Sequence, residues 1–114
     1  MNTDIVKETA LSESIAHWRR YADGDLSEGE PGAHNCALCY LYQPDCVGCH
    51  VSEATEQSDC QGTPFYLARE AYRRYASESI YYKRYLGFMK GSEIQLSRFK
   101  KLSAAMVTFL EGLR

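Results

Sequence analysis

The stretch GTPFYLAREAYRRYASESIYYKRYLGFMKGSEIQ, residues 62–95, decides the fold. Thr63 is a helix N-cap, and Pro64 suits the first helical position, where a missing N–H costs nothing. From there Phe65, Ala68, Tyr72, Tyr75, Ser79, Tyr82, Leu86 and Met89 recur at alternating spacings of three and four. That is one seam facing another helix, and it predicts a helix running to Lys90. Gly91 ends it. Ser92-Glu93-Ile94-Gln95 then supplies a capping box, with Ser92 as cap and Gln95 reaching back. Leu96, Phe99, Leu102, Met106, Phe109 and Leu113 form the apolar face of the helix that follows. A connection this short makes residues 63–114 an antiparallel helical hairpin.

Toward the N-terminus, Leu11, Ile15, Trp18 and Ala22 share one helix face and predict a first helix over residues 10–23. Thr9 reads as its cap and Gly24 as its left-handed stop, with residues 1–9 frayed or extended. This helix, with Trp18, is expected to pack across the hairpin. Residues 24–62 are a long loop that begins with Gly24-Asp25 and passes through Gly29-Glu30-Pro31-Gly32. Its large apolar residues are few, chiefly Leu26, Leu38, Leu41, Val47 and Val51. Ordering such a loop costs roughly 1–2 kcal/mol of backbone entropy per residue, more than these side chains offset. Short helical turns are expected around Ala37–Tyr42 and Ser52–Gln57. The fold class is therefore mainly α: a shorter helix, a cysteine-rich loop and a long hairpin in one domain, residues 1–114.

A chain of 114 residues fits a single domain with one modest core. It is 45% hydrophobic and 25% charged, ordinary for a soluble globular protein. No apolar run approaches the roughly 18–20 residues of a membrane span. Met1-Asn2-Thr3-Asp4-Ile5-Val6-Lys7-Glu8 does not read as a secretory signal, so a cytoplasmic location is expected. The net charge of −2 hides an asymmetry. Residues 1–60 carry three Lys and Arg against eleven Asp and Glu; residues 61–114 carry ten against four. The halves either attract each other within the domain or present faces of opposite sign to partners.

Cys36, Cys39, Cys46, Cys49 and Cys60 fall within 25 consecutive residues. The number is odd, and a reducing compartment disfavours structural disulfides. Two C-x2-C pairs separated by six residues can place four thiolates about 2.3 Å from one tetrahedral zinc. Such a site would also fix the loop. Cys60 lies just before the Thr63 cap, near the positive end of a long helix, and competes with Cys36 or Cys46 as a ligand. His34 and His50 are further candidates. Each is more often a plain loop histidine. An iron–sulfur cluster is disfavoured because the ferredoxin runs are missing. A redox dithiol is disfavoured because no βαβ pattern surrounds either pair. His17, beside Trp18, reads as a surface or partly buried side chain.

Cys36-Ala37-Leu38-Cys39, Cys46-Val47-Gly48-Cys49 and Cys60-Gln61-Gly62-Thr63-Pro64-Phe65 resemble a family of small bacteriophage-encoded proteins. These share a C-x-L-C, C-x-G-C-P, C-x-G-T-P-aromatic pattern, often after a helix bearing a tryptophan like His17-Trp18. The resemblance covers about residues 11–66 and leaves the C-terminal helices unmatched. His50 stands where the family usually has proline. The resemblance implies a phage origin, hence the host cytoplasm, and a cysteine-ligated metal. It implies no reaction.

Six of the nine tyrosines fall between Tyr66 and Tyr85, interleaved with Arg69, Arg73, Arg74, Lys83 and Arg84. On a helical wheel Arg69, Arg73, Lys83 and Arg84 lie within about 100° of one another, with Ala76 and Ile80 between them. Arginine, tyrosine and an apolar anchor suit a protein interface. Basic residues with aromatics also suit single-stranded nucleic acid. The plain alternative is a solvated basic face whose arginine stems lie over half-buried tyrosines.

An enzyme is not expected: no phosphate-cradling Gly-rich loop, nucleophile elbow or H-E-x-x-H spacing is present. A four-thiolate site would also be closed to substrate. The expectation is a zinc-stapled binding protein that modulates a host protein through Arg69, Arg73, Ile80, Lys83 and Arg84. The alternative is a nucleic-acid-binding regulator, which the net acidity mildly disfavours. A homodimer through the tyrosine helix needs no target at all.

Overall fold

The computed structural model describes residues 3–32, 36–42, 49–56, 60–86 and 93–114, without the side chains of residues 3, 4, 39, 40, 42, 50, 52, 53, 79–83, 85 and 86. The described chain is helical and contains no strand. Its elements are α1 (Thr3–Ala22), α2 (Ala37–Tyr42), α3 (His50–Thr55), α4 (Phe65–Leu86) and α5 (Glu93–Glu111). The two short helices fall where helical turns were expected, α3 beginning two residues early.

The first helix is not the shorter partner. At 20 residues it matches the hairpin helices of 22 and 19. Residues 3–9 continue it instead of fraying, since each residue added to a packed helix gains a hydrogen bond without a new nucleus. Thr9 is therefore no cap: its hydroxyl donates back to the Ile5 carbonyl at 2.8 Å, one turn earlier. The stop is where the sequence put it. Gly24 has φ +90°, its N–H bonds the Tyr21 carbonyl at 3.0 Å, and Asp25 N–H reaches the Arg20 carbonyl at 2.9 Å. These two bonds are a Schellman pair, and they need a residue that adopts the left-handed conformation without strain.

The start of α4 also follows the sequence. The Thr63 hydroxyl accepts from Phe65 N–H at 3.2 Å and donates to the Cys60 carbonyl at 2.7 Å, while the Pro64 carbonyl takes the bond from Ala68 N–H at 2.9 Å. The expected end at Lys90 and the Ser92 cap lie outside the described residues.

Helix α5 is the centre of the fold, packing against both α1 and α4, and α2 packs on α1. Tyr21 meets Phe99, and Arg114 donates to Ser12 at 2.9 Å, so α1 and α5 run antiparallel. Phe99, Ser103, Met106 and Leu110 form the buried row of α5. Phe99 is clasped between Tyr21 and Tyr72, with ring centroids 5.1 and 5.6 Å away. The hairpin seam on α4 buries Ala68 and Ala71 fully and Phe65 and Tyr72 in part. On α1 the buried face is wider than predicted: Ala10, Leu11, Ser14, Ile15, His17, Trp18 and Tyr21 are all inside. Two polar residues on that face, Ser14 and His17, had masked its width.

Candidate metal loop and interaction face

The described parts of the loop between α1 and α4 are held by more contacts than its apolar content alone implies. Leu38 and Val51 are each 2% exposed and Pro31 is fully buried, whereas Leu41 is exposed and Val47 lies outside the described residues. Leu26, Cys36, Ala37 and Cys60 pack against the same core cluster.

Polar contacts hold the first part of this loop on α1. His17, buried on the inner face, places Nδ1 2.6 Å from Glu28 Oε2. Arg20 donates to both oxygens of the same carboxylate, at 3.0 and 3.1 Å. The Arg20 hydrogen bond, helped by His17 and opposed by burial, holds the Glu28 carboxyl below its ordinary range. Next to it the Tyr21 hydroxyl donates to the Gly29 carbonyl at 2.7 Å. His17 is thus a buried loop anchor and not a surface side chain. Glu28, eleven residues along the chain, carried no signal of this pairing in its local pattern.

Three of the five cysteines are described. Cys36 is half-buried with Sγ 4.0 Å from Ser14 Oγ. Cys49 is buried at the N-cap of α3, with φ −63° and ψ 136°. Cys60 is half-buried in the left-handed region at φ +61°, just ahead of Gly62 at +81°. A non-glycine residue there costs about 1–2 kcal/mol. Cys49 belongs to the core cluster of the chain, and Cys36 and Cys60 pack against it. Among the described residues no three His, Cys, Asp or Glu side chains form a group able to hold a metal ion. Cys46 and His34 lie outside the described residues, as do the side chains of Cys39 and His50. The three described thiols are buried or half-buried, and thiolates are the ligands that would hold a soft structural ion such as zinc.

On α4 the predicted basic stripe is partly engaged within the chain. Arg73 grips Glu30 through Nε and Nη2, at 2.5 and 3.0 Å, and ties the acidic loop to the hairpin. Arg74 pairs with Glu70 one turn before it, at 2.8 Å. Arg69 lies over the rings of Phe65 and Tyr66, 5.2 and 5.0 Å from their centroids. Arg84 is exposed, and the side chains of Ile80 and Lys83 lie outside the described residues. Beside Arg69, Tyr66 and Leu67 are 37% and 48% exposed. Leu67 was not singled out from the sequence, though its place off the Phe65–Ala68–Tyr72 seam could have marked it. Tyr72 points inward onto Phe99, and burial pushes its phenol up.

No family model, no curated protein and no solved structure matches this chain. No described helix is long and apolar enough to cross a membrane.

Proposed function

We propose that the chain is a non-enzymatic, zinc-stapled helical binding protein whose target is another protein. The observation that carries this reading is the cluster at the start of α4, where Arg69 stacks on Phe65 and Tyr66 beside exposed Leu67. A guanidinium pre-ordered on aromatic rings next to an apolar side chain has the make-up of an interface hot spot. It stands a few residues beyond Cys60, so a metal on the cysteine loop would hold it rigid. In this reading Cys36, Cys39, Cys46, Cys49 and Cys60 supply the four ligands and one spare thiol. The cysteine motif supports phage origin and a host target, acting in the host cytoplasm.

Nucleic acid is the weaker reading because Arg73 and Arg74 already face carboxylates. Neutralised arginines release few counterions from a phosphate backbone.

The test is affinity purification from nuclease-treated host lysate with the wild type and a Leu67→Glu, Arg69→Glu variant. A protein retained by the wild type and lost by the variant, with helical content unchanged, supports the reading. Retention by both moves the site off this face. Retention of nucleic acid alone, with a steep salt dependence, supports the alternative.

A further inference from the structure

The two most exposed large apolar side chains in the described chain are isoleucines at opposite ends of the molecule. Ile94 is 79% exposed and Ile5 is 63% exposed. Because α1 and α5 run antiparallel, with Tyr21 on Phe99 and Arg114 on Ser12, Ile5 projects past the C-terminal end of α5. Ile94 correspondingly projects past the C-terminal end of α1. The molecule is a rod of 54 × 24 × 24 Å, so the two sites are far apart.

Each isoleucine opens a shallow groove along one helix. On α1, Ile5, Thr9, Ser12 and Ala16 are flanked by Glu8 and Glu13, with Arg114 at the edge on Ser12, so two carboxylates outweigh one cation. On α5, Ile94, Ser97 and Leu102 are flanked by Arg98 and Lys101, with Glu93 at the edge. The first groove is acidic and the second basic overall. Glu8, Glu13, Arg98 and Lys101 enter no ion pair among the described residues. Within one chain the grooves are at opposite ends and cannot meet.

We propose that the occupant of each groove is the other groove on a second copy of this chain. Two rods side by side and antiparallel bring acidic α1 of one copy onto basic α5 of the other, twice. Each contact covers an exposed isoleucine and pairs two carboxylates with two cations. A closed two-fold arrangement makes the contact self-limiting, and opposite charge selects antiparallel over parallel pairing.

Sedimentation velocity of the full chain at low salt, up to about 100 μM, tests this. The expected result is a monomer–dimer equilibrium that weakens as salt rises. Glu8→Lys, Glu13→Lys in one variant and Arg98→Glu, Lys101→Glu in another should each raise the dimer dissociation constant about tenfold or more. An equimolar mixture of the two should dimerise again, because the reversed faces complement each other while the unreversed pair is native. Circular dichroism confirms that both variants fold. A monomeric wild type, dimers indifferent to either reversal, or no recovery in the mixture would overturn the proposal. Loss of target binding on α4 leaves these outcomes unchanged, so the two tests are independent.

Discussion

His17 Nδ1 stands 2.6 Å from Glu28 Oε2, inside the face of α1 that carries Trp18 and Tyr21. At that distance the ring nitrogen is a donor and the carboxylate accepts. The contact turns an acidic, glycine-bounded loop into a strap across the first helix. Arg20 and the Tyr21–Gly29 bond complete it.

Removing Glu28 leaves the His17 N–H buried without its acceptor. Glu28→Ala should cost about 1–3 kcal/mol. The share due to Arg20, whose side chain is 45% exposed, is under about 1 kcal/mol. The pH dependence has a definite sign. The Glu28 carboxyl is held below its ordinary 4.5, so its contribution is fully present above that value. It is lost as pH falls through the lower, folded value. Urea unfolding across that range should show the gap between wild type and variant closing only under acid. A gap that is constant with pH would mean that the carboxylate charge is not what holds the strap.

Thr9 and Thr63 separate a back-bonded threonine from a capping one. Thr63→Ala should destabilise by about 1 kcal/mol, the usual loss of an N-cap. Thr9→Ala should be neutral or slightly stabilising, because Thr9 lies inside a helix on an exposed face and alanine is the better helix former. Thermal unfolding of the two variants checks both. A loss at Thr9 as large as at Thr63 would place the start of α1 near residue 10 after all.

Phe99 and Ser103 sit in the same buried row but predict opposite responses. Phe99→Ala opens a hole between Tyr21 and Tyr72 and should cost about 3–5 kcal/mol. Ser103 is fully buried and its hydroxyl has no hydrogen-bond partner among the described residues. Ser103→Ala removes that unpaired group and should be neutral or stabilising by up to about 1 kcal/mol. A marked loss there would reveal a partner for the hydroxyl in solution.

The helical class, the end of α1 and the start of α4 could be read in the sequence because their signals are local. Thr63-Pro64 and Gly24 set backbone geometry within a turn, and Ala37–Tyr42 announces α2 with a short apolar run. The extent of α1 could not be read that way. Its inner face includes Ser14 and His17, whose partners Cys36 and Glu28 come from 22 and 11 residues away. The Glu30–Arg73 pair is 43 residues apart. Charge asymmetry between the halves hinted at attraction but could not say which carboxylate meets which arginine. Hence Arg73, read as a partner contact, emerges as a tie between the acidic loop and α4, while Leu67 emerges as exposed surface.

The proposed metal would give the doubled C-x2-C a role and make the cysteine loop a rigid support for the α4 face. If that metal is present, chelation should unprotect residues 33–62 in hydrogen exchange before the α4–α5 hairpin. The most direct measurement is elemental analysis of purified, folded protein prepared without added metal, repeated for each single Cys→Ser change. The expected result is about one zinc per chain, lost on substitution of any of four cysteines and retained on substitution of the fifth. A folded chain that carries neither zinc nor iron would contradict it.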